Sequence, residues 1–157
     1  MASSHDLVLT TVPGGNALSA FRAAGLLTAV QRVAPGVTGL GAQFVHWVAS
    51  EHPLDEATAA TVTRLLTYGP PYAGPAPEEG TVVVVGPRLG TISPWASKAT
   101  DIAHSCGVEV HRVERVLEYV LTGAALSETE WGAVADLLHD RMTETALPSV
   151  AAAAALF

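Results

Sequence analysis

The sequence predicts an α+β fold made of two successive strand–helix–strand–helix units, a pseudo-dimer of two layered subdomains. Three observations carry this reading. Residues 69–80 (GPPYAGPAPEEG) hold seven Pro or Gly among twelve positions, too many for a helix or a central strand. On either side of that stretch, strand-like and helix-like apolar patterns follow one another in the same order. A single constant offset also lays one half on the other: Val48 on Val120, Trp47 on Tyr119, Leu54 on Leu126, Glu56 on Glu128, Val62 on Val134, and Leu65-Leu66 on Leu137-Leu138.

Each element has a local reason. Residues 7–12 read as a strand that Pro13-Gly14-Gly15 ends. Asn16 is placed to cap a helix carrying Leu18, Phe21, Leu26, Leu27 and Val30, which Pro35-Gly36 stops. Residues 44–48 (FVHWV) form a second strand, broken by His52-Pro53. A helix follows over about 55–68, with Val62, Leu65 and Leu66 on its apolar face.

In the second half, Val82 to Val85 is a continuous valine run, as expected of a strand covered on both faces. Ser93-Pro94 opens a helix with a hydroxyl at the N-cap and proline at the first helical position. Trp95, Ala99, Ile102, Ala103 and Cys106 mark its inner face, which makes Cys106 a buried structural thiol, and Gly107 ends it. Residues 108–121 fit both a helical stripe and a strand. The comparison of halves, with the Val and Tyr enrichment, selects strand. Ser127 starts the last helix, to about residue 142, with Glu130 completing a capping box. The alanine run 151–155 is expected to be helical. The organisation is thus one domain at 1–147, with repeats at about 5–68 and 81–142, a linker at 69–80, and residues 148–157 beginning a connection.

Composition narrows the function. With 157 residues, 49 % of them apolar, the chain is long enough to bury roughly two-thirds of its unfolded surface as one domain. A net charge of −7 with scattered arginines gives no basic stripe, which argues against a nucleic-acid surface. No apolar run approaches the length that a membrane span needs, and the start lacks the pattern of a secretory signal. A single cysteine excludes an internal disulfide and fits a reducing, cytoplasmic compartment. The six histidines (5, 46, 52, 104, 111 and 139) show no i,i+4 pair and no cysteine cluster, so no metal site is expected.

The most informative stretch runs from Pro87 to Gly107. It contains the chain's one lysine and its one cysteine, and a hydroxyl-rich turn between the valine strand and a helix. Helix N-termini attract anions through unpaired N–H groups. Gly90, Thr91, Ile92 and Ser93, with Arg88 upstream, therefore offer a place for a phosphate or carboxylate. The plainer reading is a well-capped helix whose hydroxyls serve its own backbone. The glycine spacing and Lys-Ser/Thr ending of a nucleotide phosphate loop are missing. Lys98 and Asp101, at i and i+3, are placed to pair at the surface or to contact a neighbouring domain. Cys106 has no base suitably placed to make it a nucleophile.

Pro87-Arg88-Leu89-Gly90-Thr91-Ile92-Ser93-Pro94-Trp95-Ala96-Ser97-Lys98-Ala99-Thr100-Asp101-Ile102, followed by Cys106-Gly107, closely resembles a signature of the large, single-chain phosphoribosylformylglycinamidine synthases. The family version reads Pro-Arg-x-Gly-Thr-Ile-Ser-Pro-Trp-Ser-Ser-Lys-Ala-Thr-Asp-Ile, and the one departure is Ala96 in place of a serine. Three further pieces match in family order: Ala17 to Arg22, Leu66 to Pro70, and Leu138 to Glu144. The resemblance covers about residues 5–147.

The resemblance implies a PurS-like N-terminal domain, a fused pair of small subunits, which agrees with the duplication. It implies a parent enzyme of purine biosynthesis that converts formylglycinamide ribonucleotide to its amidine with ATP, Mg²⁺ and glutamine-derived ammonia. The linker, synthetase and glutaminase domains of the same chain would be the partners. This fragment would end where the linker domain begins, bind no cofactor itself and hold no catalytic residue. Its expected role is docking and coupling, with Arg88, Thr91, Ser93, Trp95, Ser97, Lys98 and Asp101 at the interdomain edge of the active site. Trp95→Ala or Lys98→Ala should then lower glutamine-dependent turnover without unfolding the domain. The isolated fragment is expected to self-associate through surface its partners normally cover. Two other readings are a free-standing sensor binding an anion at the Ser93 helix end and a purely structural scaffold.

Overall fold

In the computed structural model, which describes residues 7–157, the chain forms nine elements. These are β1 (Val8–Asn16), α1 (Ala20–Val33), β2 (Val37–Ser50), α2 (Glu56–Leu65), β3 (Thr81–Pro87), α3 (Pro94–Ser105), β4 (Arg112–Gly123), α4 (Glu128–Leu138) and β5 (Glu144–Leu147). Two 3₁₀ turns, Pro77–Glu79 and Ala151–Leu156, complete it. His5 and the first two positions of the 5–68 repeat lie outside the described residues. The strands make one antiparallel sheet in the order β1-β2-β4-β3-β5. The fold is α+β, as the sequence predicts, and residues 108–121 do contain a strand.

The duplication is written into the strand register. Thr10 pairs with Val48 and Val12 with His46 in β1–β2, while Val82 pairs with Val120 and Val84 with Glu118 in β3–β4. Those pairs are related by the same offset that lays Val62 on Val134. The second helices obey it too. Asp55 and Ser127 are the N-caps of α2 and α4, Val62 and Val134 are buried under them, and so are Leu66 and Leu138.

In the strands, however, that overlay is out of phase. Val48 lies opposite Val113 and faces the helices, so Val120 faces the other way. Tyr119 packs under α1 and α4, whereas Trp47 packs against the C-terminal segment. Side chains alternate along a strand, so a slip by a single position exchanges its faces. Equivalent environments are related by an offset one shorter from β2 to β4 and one longer from β1 to β3: Val12 opposite His46 becomes Val85 opposite Leu117. The sequence overlays of Val48 on Val120 and Trp47 on Tyr119 are therefore corrected by one position.

All four helices cover one face of the sheet, paired across the units. The core under α1 and α4 joins Val30, Ala34, Val134 and Leu138 to Ala42, Val83, Tyr119 and Leu121. The core under α2 and α3 joins Val62, Leu66 and Ala103 to Val48 and Val113. Antiparallel pairing of β2 with β4 turns the second unit end over end relative to the first. That motion brings the first helix of one beside the second helix of the other. The two layered units thus share one sheet and exchange helix neighbours.

The opposite face carries Val45, Trp47, Val84 and Val116, covered by Ala153 and Leu156 of the C-terminal 3₁₀ turn. The 69–80 segment crosses the same face farther along, with Tyr72 and Pro75 close above Gly41. Glu118 is buried there, and burial first, then Glu78, pushes its carboxyl above the usual range. An acid with a raised folded pKa opposes folding when ionised. Glu118→Gln is accordingly expected to stabilise the chain at pH 7, a gain that shrinks on acidification and is read by denaturation at neutral and acidic pH.

Several boundaries move. β1 continues through Pro13-Gly14-Gly15 to Asn16, with a break in register after Pro13; an edge strand tolerates proline there. Ser19, not Asn16, caps α1, because the Asn16 side chain turns to the Leu18 backbone instead. β2 starts at Val37, since the central pairing with β4 recruits residues that lack strand periodicity. α2 ends at Leu65 and α4 at Leu138, earlier than expected. Cys106 is exposed rather than buried. The buried stripe of α3 is Ala96 and Ala103, with Trp95 and Ala99 partly covered, which leaves Ile102 and Cys106 on its flank. Gly107 ends α3 with φ +77, a left-handed conformation that glycine adopts without strain.

Candidate functional site

β3 stops pairing with β4 at Val85, and the 88–93 turn then passes beside the start of β4, which pairs with β2 on one edge and has no β3 partner on the other. Gly90 takes φ +83 in that turn. The Thr91 hydroxyl donates to the Arg88 carbonyl, and the Arg88 N–H donates to the Thr143 carbonyl. Ser93 Oγ caps α3 by accepting from the Ala96 N–H at 3.0 Å, and itself donates to Glu114 Oε1 at 2.8 Å. Thr100 Oγ1 donates to the Ala96 carbonyl and accepts from the Val113 N–H at 3.0 Å, pinning α3 to β4. The hydroxyls of this segment serve the fold itself.

Glu114 is fully buried, and its charge is met by Arg112 NH2 at 2.6 Å. A carboxylate therefore already stands at the N-terminus of α3. It takes the Ser93 hydroxyl that the sequence offers to an anion there.

Around the middle of the helix-covered face, Arg115 projects beside two aromatic rings. Its guanidinium carbon lies 4.2 Å from the Phe44 ring centre and 4.6 Å from that of Trp95. Arg115 NH1 donates to Tyr68 Oη at 3.2 Å, and that hydroxyl donates to His46 Nε2 at 2.8 Å. The direction is fixed because His46 Nδ1 lies 3.1 Å from the Val12 carbonyl, which accepts only. His46 stacks on Trp95 with ring centres 5.7 Å apart. Burial dominates the titration of His46 and pulls its pKa from 6.5 to about 4; the Val12 hydrogen bond opposes this, and Arg115 adds to it. His46 is neutral at pH 7.

An apolar groove of about 310 Å³ runs between α2 and α3, lined by Leu65, Leu66, Tyr68, Trp95, Lys98 and Ile102 among others. A second recess of about 410 Å³ is formed by Arg88, Leu89, His139, Arg141, Glu144 and Thr145.

The seven predicted residues therefore separate. Thr91 and Ser93 belong to the buried polar network. Trp95 is partly buried in the core, with the His46 ring stacked on it and the Arg115 guanidinium over it, so it holds structure as well as surface. Lys98 lines the groove, Arg88 lines the second recess, and Ser97 and Asp101 lie exposed on α3. Lys98 and Asp101 form no ion pair; among the described residues the pairs are Arg112–Glu114 and Arg141–Asp136. No group of three or more His, Cys, Asp or Glu among the described residues is placed to hold a metal ion. No helix among them is long and apolar enough to cross a membrane.

Sequence reasoning missed Arg112, Glu114, Arg115 and His46. One signal was available: Arg112 and Glu114 are charged residues at i and i+2 in a strand otherwise rich in valine, hence on one face. Against known families, residues 43–157 match the one described as formylglycinamide ribonucleotide amidotransferase N-terminal, over nearly three quarters of the chain.

Proposed function

This chain belongs to the formylglycinamide ribonucleotide amidotransferase N-terminal family, and on that premise we propose that it docks and couples the glutaminase and synthetase regions of a cytoplasmic purine-biosynthetic enzyme. The parent reaction joins glutamine-derived nitrogen to formylglycinamide ribonucleotide at the expense of ATP, with Mg²⁺. Both ATP and the metal would be held outside this chain, and no residue here acts as catalyst.

One observation supports this reading above the others. The 88–93 turn is fixed from behind by hydrogen bonds, yet Leu89 is 50 % and Ile92 63 % exposed, with Ile102 at 54 % farther along α3. A rigid turn that directs apolar side chains outward suits contact with another protein surface. Lys98 supplies a charge beside it with no intramolecular ion pair among the described residues.

In the full-length enzyme, Ile92→Ser and Lys98→Ala are expected to lower glutamine-dependent turnover about tenfold, the loss of a contact worth somewhat more than ~1 kcal/mol. Stability should stay within about 0.5 kcal/mol, as at exposed positions generally. Ammonia-dependent turnover should change far less. Equal ratios of glutamine hydrolysed to product formed in wild type and both variants would sink the proposal. Trp95→Ala is a poorer probe than the sequence suggests, because it also removes core packing. The anion-sensor alternative is disfavoured by Glu114, which stands where the anion would bind; tight phosphate binding by calorimetry would revive it.

A further inference from the structure

We infer that Arg112 and Glu114 form a strut that joins the 88–93 turn to the C-terminal 151–157 segment, so that docking of the second sets the position of the first. This rests on the reading of the turn as a docking element and says what holds that element in place.

The Arg112 guanidinium, in a residue only 8 % exposed, donates to three acceptors on three parts of the chain. These are Glu114 Oε2 at 2.6 Å, the Thr91 carbonyl at 3.0 Å and the Leu156 carbonyl at 2.7 Å. Its plane also lies over the Phe157 ring, 4.8 Å from the centre. Glu114 completes the far side: Oε1 accepts from Ser93 Oγ and from the Arg115 N–H at 3.0 Å.

A buried ion pair that merely fills space can be exchanged for apolar side chains with little loss. This one does more. Thr91 lies in irregular backbone and Leu156 closes the 3₁₀ turn. A rigid fork with several donors can hold two carbonyls from separate segments at once, in fixed geometry. Arg112 Nε is buried without a partner, so the two terminal nitrogens make all the hydrogen bonds that orient the fork. Moving Leu156 withdraws an acceptor from the group that holds Thr91. Moving the turn withdraws Ser93 and Thr91 from the group that holds Leu156.

Amide hydrogen exchange on this chain tests the strut with no activity readout, so its outcome is separate from that of the docking proposal. Leu156→Asp should undock the 3₁₀ turn and raise exchange at Ala153 and Phe157. It should also raise exchange about tenfold at Thr91 and Ala96, while the Thr58 and Glu130 amides at the caps of α2 and α4 stay protected. Ser93→Ala should transmit in reverse, from Ala96 to Ala153 and Phe157. In an Arg112→Met, Glu114→Leu background, which leaves no orphaned charge, neither change should cross to the other end. Exchange that rises only at the substituted end in both variants overturns the proposal. If Leu156→Asp does not fold, Ser93→Ala, a cap substitution on one side of the network, decides it alone.

Discussion

Glu114→Ala should cost the fold about 3–5 kcal/mol, the usual penalty for breaking a buried ion pair by removing one partner. The substitution leaves the Arg112 charge in a nearly closed site with only carbonyl acceptors, and it takes away the acceptor for Ser93 Oγ and for the Arg115 N–H. At roughly 2–4 °C per kcal/mol for a chain of this size, the melting temperature should fall by about 10 °C. Removing both charges is a different experiment. Arg112→Met with Glu114→Leu keeps volume and leaves no orphaned charge, so the double variant should recover most of that loss. Glu114→Ala lying within about 1 kcal/mol of wild type by denaturant titration would mean that the network contributes little to stability.

Acidification should weaken the fold through His46. Its pKa is near 6.5 when unfolded and about 4 when folded. Above about pH 6.5 both states are neutral there, and nothing is lost. Between pH 6.5 and about 4 the unfolded chain takes up a proton that the folded chain refuses. Stability therefore falls across that window, by up to about 3 kcal/mol. His46→Gln removes the titration, so the difference between wild type and variant should shrink on going from pH 7 to pH 4. A difference that is flat with pH would show that His46 titrates normally in the folded protein.

The sequence was a good guide wherever a local rule decides structure. The caps at Ser93 and Ser127, the capping box with Glu130 and the glycine stop at Gly107 all depend on short-range hydrogen bonds or a single dihedral. The valine run at 82–85 announced a strand buried on both faces. β5 went unseen because four half-buried residues at a sheet edge carry no alternation, and only their pairing with β3 makes them a strand. The phase of the repeat was missed for a related reason: register is decided by which face meets the helices, which a sequence offset does not contain.

The candidate surface was legible in part. The signature located the right turn, and the structure separates its residues into those facing inward and those facing outward. The partners that sort them, Arg112 and Glu114, lie well downstream in the chain and become neighbours only through the antiparallel sheet.

The exchange of helix neighbours has a consequence for how this protein exists at all. Each helix-covered core draws side chains from both halves of the chain, and the two longest strands pair across the middle. Cut at the proline-rich crossing, neither half would retain an interior of its own. The free energy that folds this protein is, in large part, the affinity of its first half for its second. The 69–80 segment then acts as a tether, keeping an obligate partner at high local concentration.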